Sequence, residues 1–203
     1  MNAGRFARGR PLWLLPLLLL LLPGCGLFQT RTPDAPTEPS DSFRPSTDPD
    51  ALIENLQSAI AQKNTVNYER CFASATQGRQ PFVFTPSSSA LAAYPGVFAR
   101  WTVDEERQYF QNLVARAAGK PNAYSNLTLT HKTIIVSGDS AVYSYDYTLV
   151  FEHNDPSFPT TAIGTMQVTM GPDQNNAWVI NRWTDYKTSS EVTWSHFKGK
   201  FSN

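Results

Sequence analysis

The chain has 203 residues, 41% of them hydrophobic, and 17 basic side chains against 17 acidic ones. A formal charge of zero leaves no basic excess to neutralise phosphates, so nothing points to nucleic acid as a partner. Only two cysteines occur, Cys25 and Cys71, too few for a disulfide framework.

The N-terminus opens on three basic residues, Arg5, Arg8 and Arg10, followed by an uncharged and almost wholly apolar run from Pro11 to Leu22. A bilayer core calls for about 20 apolar residues in a helix, and this run is shorter and carries Pro11 and Pro16. A basic front, a short apolar middle and small residues at the end describe an export signal. The run ends on Leu22-Pro23-Gly24-Cys25, which resembles the lipobox of bacterial lipoproteins. The resemblance implies a diacylglyceryl thioether on Cys25, cleavage before it, and residues 1–24 as a lipoprotein signal peptide. Each buried methylene contributes about 0.8 kcal/mol, so the two or three acyl chains of such proteins, palmitate among them, anchor the chain to a membrane. Gly26 rather than Asp after the cysteine implies the outer membrane in a Gram-negative cell. The expected location is therefore the bacterial cell envelope, with the membrane as first partner.

From Leu27 to Asp50 the chain is rich in Pro, Ser, Thr and Asp and has little to bury. Residues 25–50 read as a lipidated cysteine and a disordered, proline-extended tether. Residues 51–203 suffice for one domain with its own core.

Within that domain, Asp48-Pro49 offers an N-cap and a first-turn proline, and Leu52, Ile53, Leu56, Ala59 and Ile60 share a helical face. A short second helix is predicted after Asn64-Thr65, with Val66, Cys71 and Phe72 inward. A short strand follows at Phe82 to Phe84, then a loop. Thr102-Val103-Asp104-Glu105 is a capping box opening a helix with Phe110, Leu113, Val114 and Ala117 on one side, closed by Gly119 and Pro121. Strands are predicted over 127–136, 141–151, 163–170 and 177–186, the first two joined by a tight turn at Ser137-Gly138-Asp139-Ser140. Helices followed by strands give an α+β class: N-terminal helices packed on a curved antiparallel sheet of four strands or slightly more.

This order of elements resembles the nuclear transport factor 2-like (NTF2-like) superfamily, also called SnoaL-like or cystatin-like. The echoes are ALIENLQSAIAQKNTVNYERCFA, VSGDSAVYSY and AWVINRWTDY. The resemblance implies a cone-shaped cup, a homodimer through the sheet, and a superfamily holding both isomerases or cyclases and non-enzymatic binding modules. Fold alone does not choose among these. The tail from Lys187 to Asn203 lies beyond the usual core and is expected to cover a sheet edge.

Two candidate sites follow. With Gly138-Asp139 as the turn, Ile135 faces Val142, Thr133 faces Ser144 and His131 faces Asp146. An imidazole oriented by a carboxylate has the parts for proton transfer. Strict alternation puts this pair on one face with Leu127, Leu129, Thr133, Ser144 and Thr148. Ile134, Val136, Tyr143, Tyr145, Tyr147, Leu149 and Phe151 fall on the other. The second set is more apolar and is expected to line the cup, leaving the pair on the convex face unless a one-residue bulge moves it inside. The second candidate is a ligand cup of Tyr143, Tyr145, Tyr147, Trp178 and Arg182, suited to a small apolar or planar ligand. Alternation places Trp178, Ile180 and Arg182 on one face of the last strand and Val179, Asn181 and Trp183 on the other. Cys71 is expected to act as a small buried apolar residue. His131, His153 and His196 are too dispersed for a metal site, and no cofactor-binding motif occurs. Catalytic residues are thus expected to be none, the His131–Asp146 pair being the sharpest candidate.

Overall fold

The computed structural model describes residues 42–77, 79–120 and 122–203; the lipobox and signal sequence lie outside the described residues. The described residues form one compact unit. Its elements run α1 (Pro49–Ala61), α2 (Thr65–Arg70), β1 (Val83–Thr85), α3 (Ser88–Ala93), α4 (Val103–Ala117), β2 (Ser125–Ser137), β3 (Ser140–Phe151), β4 (Thr161–Pro172), β5 (Trp178–Tyr186) and α5 (Trp194–Phe201). Among the described residues no helix is long and apolar enough to cross a membrane.

Local signals set the helix starts. The Asp48 carboxylate accepts from the Ala51 N–H at 2.8 Å, with Pro49 at the first helical position. The Thr102/Glu105 capping box is formed at the head of α4. The inward stripes differ in fidelity. Leu52, Ile53, Leu56, Ala59 and Ile60 of α1 are buried as their spacing predicts, whereas Val66 of α2 is two-thirds exposed and Tyr68 is buried in its place. Ordered structure also begins earlier than the tether predicts. The Arg44 N–H donates to Asn55 Oδ1, Asn55 Nδ2 returns a bond to the Arg44 carbonyl, and Ser46 is buried.

The four long strands form an antiparallel meander, and β1 adds in parallel to β5, giving the order β1-β5-β4-β3-β2. The sheet is therefore five-stranded and mixed rather than purely antiparallel. Along β3 every second residue is buried: Tyr143, Tyr145, Tyr147, Leu149 and Phe151 point into the core with Met166, Val168 and Met170 of β4. The outer face is polar and rich in threonine, carrying Thr128, Thr130, Ser144, Asp146, Thr148, Thr165, Gln167 and Thr169.

Two irregularities break the alternation on which the sequence-based faces rest. Thr130 pairs with Asp146 but Thr133 pairs with Ser144, so His131 and Lys132 together stand opposite Tyr145. His131 takes up the extra residue with φ of 51°, a left-handed conformation that histidine adopts more readily than β-branched residues do. The predicted register holds from Thr133 to the turn and slips by one before it, turning Leu127 inward beside Leu149. On β5 the pairing jumps from Thr169–Arg182 to Met170–Ile180, so Asn181 is the extra residue and Ile180 and Trp183 both face the core. Bulges of this kind bend and twist the strand, which is what an open sheet needs to curl over its helices.

Gly164 of β4 sits where its neighbours leave no room for a side chain. A Cβ there would lie 2.6 Å from the Tyr186 carbonyl oxygen and 2.7 Å from the Tyr147 hydroxyl. Gly164→Ala should therefore destabilise the domain by about 1–3 kcal/mol, read as a lower urea midpoint with an unchanged slope.

Candidate functional site

A cup made by a curled sheet and its helices is the natural place for a ligand, and here its interior is filled by the chain itself. The tail predicted to cover a sheet edge instead forms α5, whose Trp194, Phe197, Lys198 and Phe201 are buried inside the cone. These positions lie on one helical face, and Thr193 with His196 closes the first turn.

Two polar clusters hold the helix in place. In the first, Asp185, at the inner end of β5, accepts from the Tyr147 hydroxyl at 2.8 Å and from the Ser195 N–H at 2.8 Å, and the Ser195 hydroxyl also donates to it. The Tyr147 oxygen accepts from the Trp194 N–H at 2.7 Å. The buried Asp185 carboxylate at the first turn of α5 meets the Ser195 N–H, which has no partner within the helix, and it complements the helix dipole. Tyr147, placed in the ligand cup by sequence, thus spends its hydroxyl on fixing α5. Its titration is pushed well above the usual tyrosine value by burial and then by Asp185.

The second cluster centres on Glu106 of α4, which is fully buried. Its carboxylate accepts from the Tyr68 hydroxyl at 2.6 Å, from Trp101 Nε1 at 2.7 Å, and from the Lys198 ammonium through both oxygens. Lys198 is itself fully buried, with its ammonium 4.0 Å from the ring centres of Phe84 and Trp183. A lysine in such a place survives only with a countercharge, and the aromatic faces add cation–π attraction. Burial lowers its pKa to about 8, against the opposing pull of Glu106. Tyr68 and Tyr109 are pushed well above the usual tyrosine value, burial being the main cause. Neither Glu106 nor Lys198 is singled out by sequence. They stand far apart in the chain, and a lysine in TWSHFKGKF reads as surface charge until the apolar face of that helix is recognised.

The residues predicted from sequence do not converge on one site. Tyr143 and Tyr145 are buried on the inner face, at the hairpin end of β3. Trp178 is half-buried and lines a separate open pocket of about 380 Å³ with Phe43, Arg70 and Phe72. Arg182 is exposed and, one residue before the buried Trp183, faces outward; the bulge at Asn181 separates it from Ile180, so it does not line the cup. His131 and Asp146 do meet, with Nδ1 2.9 Å from Oδ2. Their side chains are 82% and 50% exposed, on the outer side of the sheet. The bulge is present, but it falls at His131 and Lys132 themselves; it is the stretch before them that changes face. Asp146 also accepts from the Thr165 hydroxyl at 2.7 Å, and that bond, ahead of His131, holds its carboxyl below the ordinary aspartate value. An acid–base pair in open water has neither an enclosed substrate volume nor the low dielectric that strengthens catalytic electrostatics. Cys71 is buried at the end of α2, its thiol donating to the Asn67 carbonyl and pushed far up by burial, so it is inert as a nucleophile. Among the described residues no cluster of His, Cys, Asp and Glu could hold a metal ion.

The Glu106–Lys198 pair makes two measurable predictions. Lys198→Ala leaves a buried carboxylate without its countercharge and should destabilise the domain by about 3–5 kcal/mol, and adding Glu106→Gln should recover part of that loss. Because the lysine titrates near pH 8 in the folded chain and near 10.5 when unfolded, the unfolded chain binds more protons across that window. Stability from this group therefore rises as pH goes from about 8 towards 10. Denaturation midpoints at pH 7.5 and 9.5 should show the rise in the native chain and lose it in Lys198→Met/Glu106→Gln.

No protein-family model and no curated protein sequence matches the chain. Solved structures do. A candidate dehydratase of the NTF2-like family from Streptomyces avermitilis superposes with a TM-score of 0.50 at 9% identity, covering 68% of this chain and 92% of its own. An NTF2-like protein of unknown function in nutrient uptake from Rhodospirillum rubrum superposes with a TM-score of 0.50 at 13% identity, covering 70% and 98%. Identities this low speak to architecture and leave the chemistry open. With helices packed on a five-stranded mixed sheet that curls without closing, the chain has the NTF2-like cone fold.

Proposed function

We propose that this chain is a lipid-anchored bacterial envelope protein whose domain serves as a non-catalytic interaction module. The observation that carries the non-catalytic reading is the filled cup: α5, Lys198 and Glu106 occupy the interior in which a substrate would otherwise sit. The anchoring reading rests on the Leu22-Pro23-Gly24-Cys25 sequence and the proline-rich stretch after it. A tether of that composition holds a folded unit clear of the lipid surface, and Gly26 favours the outer membrane in a Gram-negative cell. A second copy of the chain and other envelope proteins are the partners this reading favours. A small apolar ligand has its best place in the open pocket beside Trp178 rather than in the cup. The alternative of a ketosteroid isomerase or SnoaL-like enzyme is left only the exposed His131–Asp146 pair.

Metabolic labelling with palmitate tests the anchor. The mature chain should carry label and sediment with membranes, and Cys25→Ser should lose the label and appear in the soluble fraction. Unlabelled, soluble native protein would overturn it. Native mass spectrometry of the detergent-extracted chain tests the module: no small molecule should be retained. A bound metabolite released by Lys198→Ala would return the cup to use as a ligand site.

A further inference from the structure

The outer edge of β2 has no partner strand among the described residues. Its first part is covered. The Gln57 amide of α1 donates to the Leu127 carbonyl at 3.0 Å, the Ser125 hydroxyl donates to the Ile60 carbonyl at 2.8 Å, and Lys132 pairs with Asp50 at the head of α1. Beyond the bulge this cover ends. From Thr133 to Ser137 every residue is exposed, with Ile134, Ile135 and Val136 at 49%, 67% and 64%. An open edge bearing three adjacent β-branched apolar residues is the arrangement that native sheets ordinarily blunt with charge, proline or cover.

The stretch Thr133-Ile134-Ile135-Val136-Ser137 is self-complementary about its centre. In antiparallel pairing with an identical strand around a two-fold axis at Ile135, Thr133 meets Ser137, Ile134 meets Val136 and Ile135 meets itself. The bulge limits the pairing to these five residues, since His131 leaves the extended conformation. The outer face of the sheet is a poorer candidate: its Thr, Ser, Gln and Asp side chains offer no apolar centre, and interface cores are depleted in charge and enriched in apolar side chains.

We propose that two copies of this chain associate edge to edge through residues 133–137 of β2, in a two-fold antiparallel pairing that continues the five-stranded sheet of one copy into that of the other. An isologous contact of this kind closes on itself and stops at two copies. Main-chain hydrogen bonds supply the attraction, and Ile134 with Val136 on one face and Ile135 on the other supply the burial, as in other additions to a sheet edge. The inference rests on reading the domain as an interaction module, and needs neither the lipid nor the cup.

Two differently tagged full-length copies, produced together and extracted in mild detergent, provide the test. One tag should recover the other copy. Ile135→Lys, which sets like charges against each other at the axis, should lower recovery by about tenfold or more, while Thr165→Lys on the outer face should leave it unchanged. Ile135→Cys should form an intermolecular disulfide on mild oxidation, because paired strands hold facing Cα atoms about 4.5–5.5 Å apart. The native chain, with Cys71 buried, serves as its control. Circular dichroism melts of Ile135→Lys should match the native chain, since the side chain is already exposed. The proposal is overturned if no copy recovers the other, or if recovery survives Ile135→Lys, whatever Thr165→Lys does. Neither result touches palmitate labelling at Cys25, so failure here and failure of the envelope reading are separable.

Discussion

The buried contact between Lys198 and Glu106 is the constraint on which the rest of the domain turns. It joins the last helix to the first turn of α4 through the interior of the cone, and its surroundings leave little freedom. Tyr68 and Trp101 donate to the same carboxylate, and Phe84 and Trp183 cover the ammonium. Two charges taken out of water are stable together only if each is fully partnered. The pair therefore fixes one seating of α5: a helix shifted along its axis would strand both charges in an aromatic interior. A wholly apolar plug could slide and repack; this one has a single register.

That seating changes what the fold can be used for. A curled sheet with helices across it makes a cavity, and a cavity is an opportunity for chemistry only while it is empty. Here Asp185 and Tyr147, a carboxylate and a phenol deep in the cone of the kind that could position a substrate, are committed to the first turn of α5. What could have been a site has become an internal joint, and the groups free to meet other molecules lie on the outside.

Much of the architecture was legible in the sequence because it rests on local signals. Asp48-Pro49, the Thr102/Glu105 box, the Ser137–Ser140 turn and the period-two pattern of β3 each act within a few residues, and each appears where predicted. The failures share a different cause. Face assignments on β2 and β5 assumed unbroken alternation, and one extra residue at His131/Lys132 and another at Asn181 shifted everything on one side of them. The parallel pairing of β1 with β5 and the seating of α5 depend on contacts between distant parts of the chain, for which period and propensity carry no signal. The candidate site suffered most. Its sequence-based residues are spread over an inner face, an outer face and a separate pocket, while Glu106 and Lys198 were visible only as ordinary surface charges.

The bulge in β2 shows how one insertion couples these outcomes. By taking the left-handed conformation, His131 keeps its ring beside Asp146 on the outer side while Lys132 reaches Asp50 on α1. The strand before this point lies under α1, with Leu127 in the core. The strand after it is exposed from Thr133 to Ser137, and there neither face of Ile134-Ile135-Val136 finds cover among the described residues. Straightening the strand to restore strict alternation would turn Leu127 outward and break the core beneath α1. The exposed apolar edge is thus the other side of a well-packed first half: the geometry that buries Leu127 requires the hairpin to project, and a projecting, unpaired edge of β-branched residues is stable in water only when it is short or when something pairs with it.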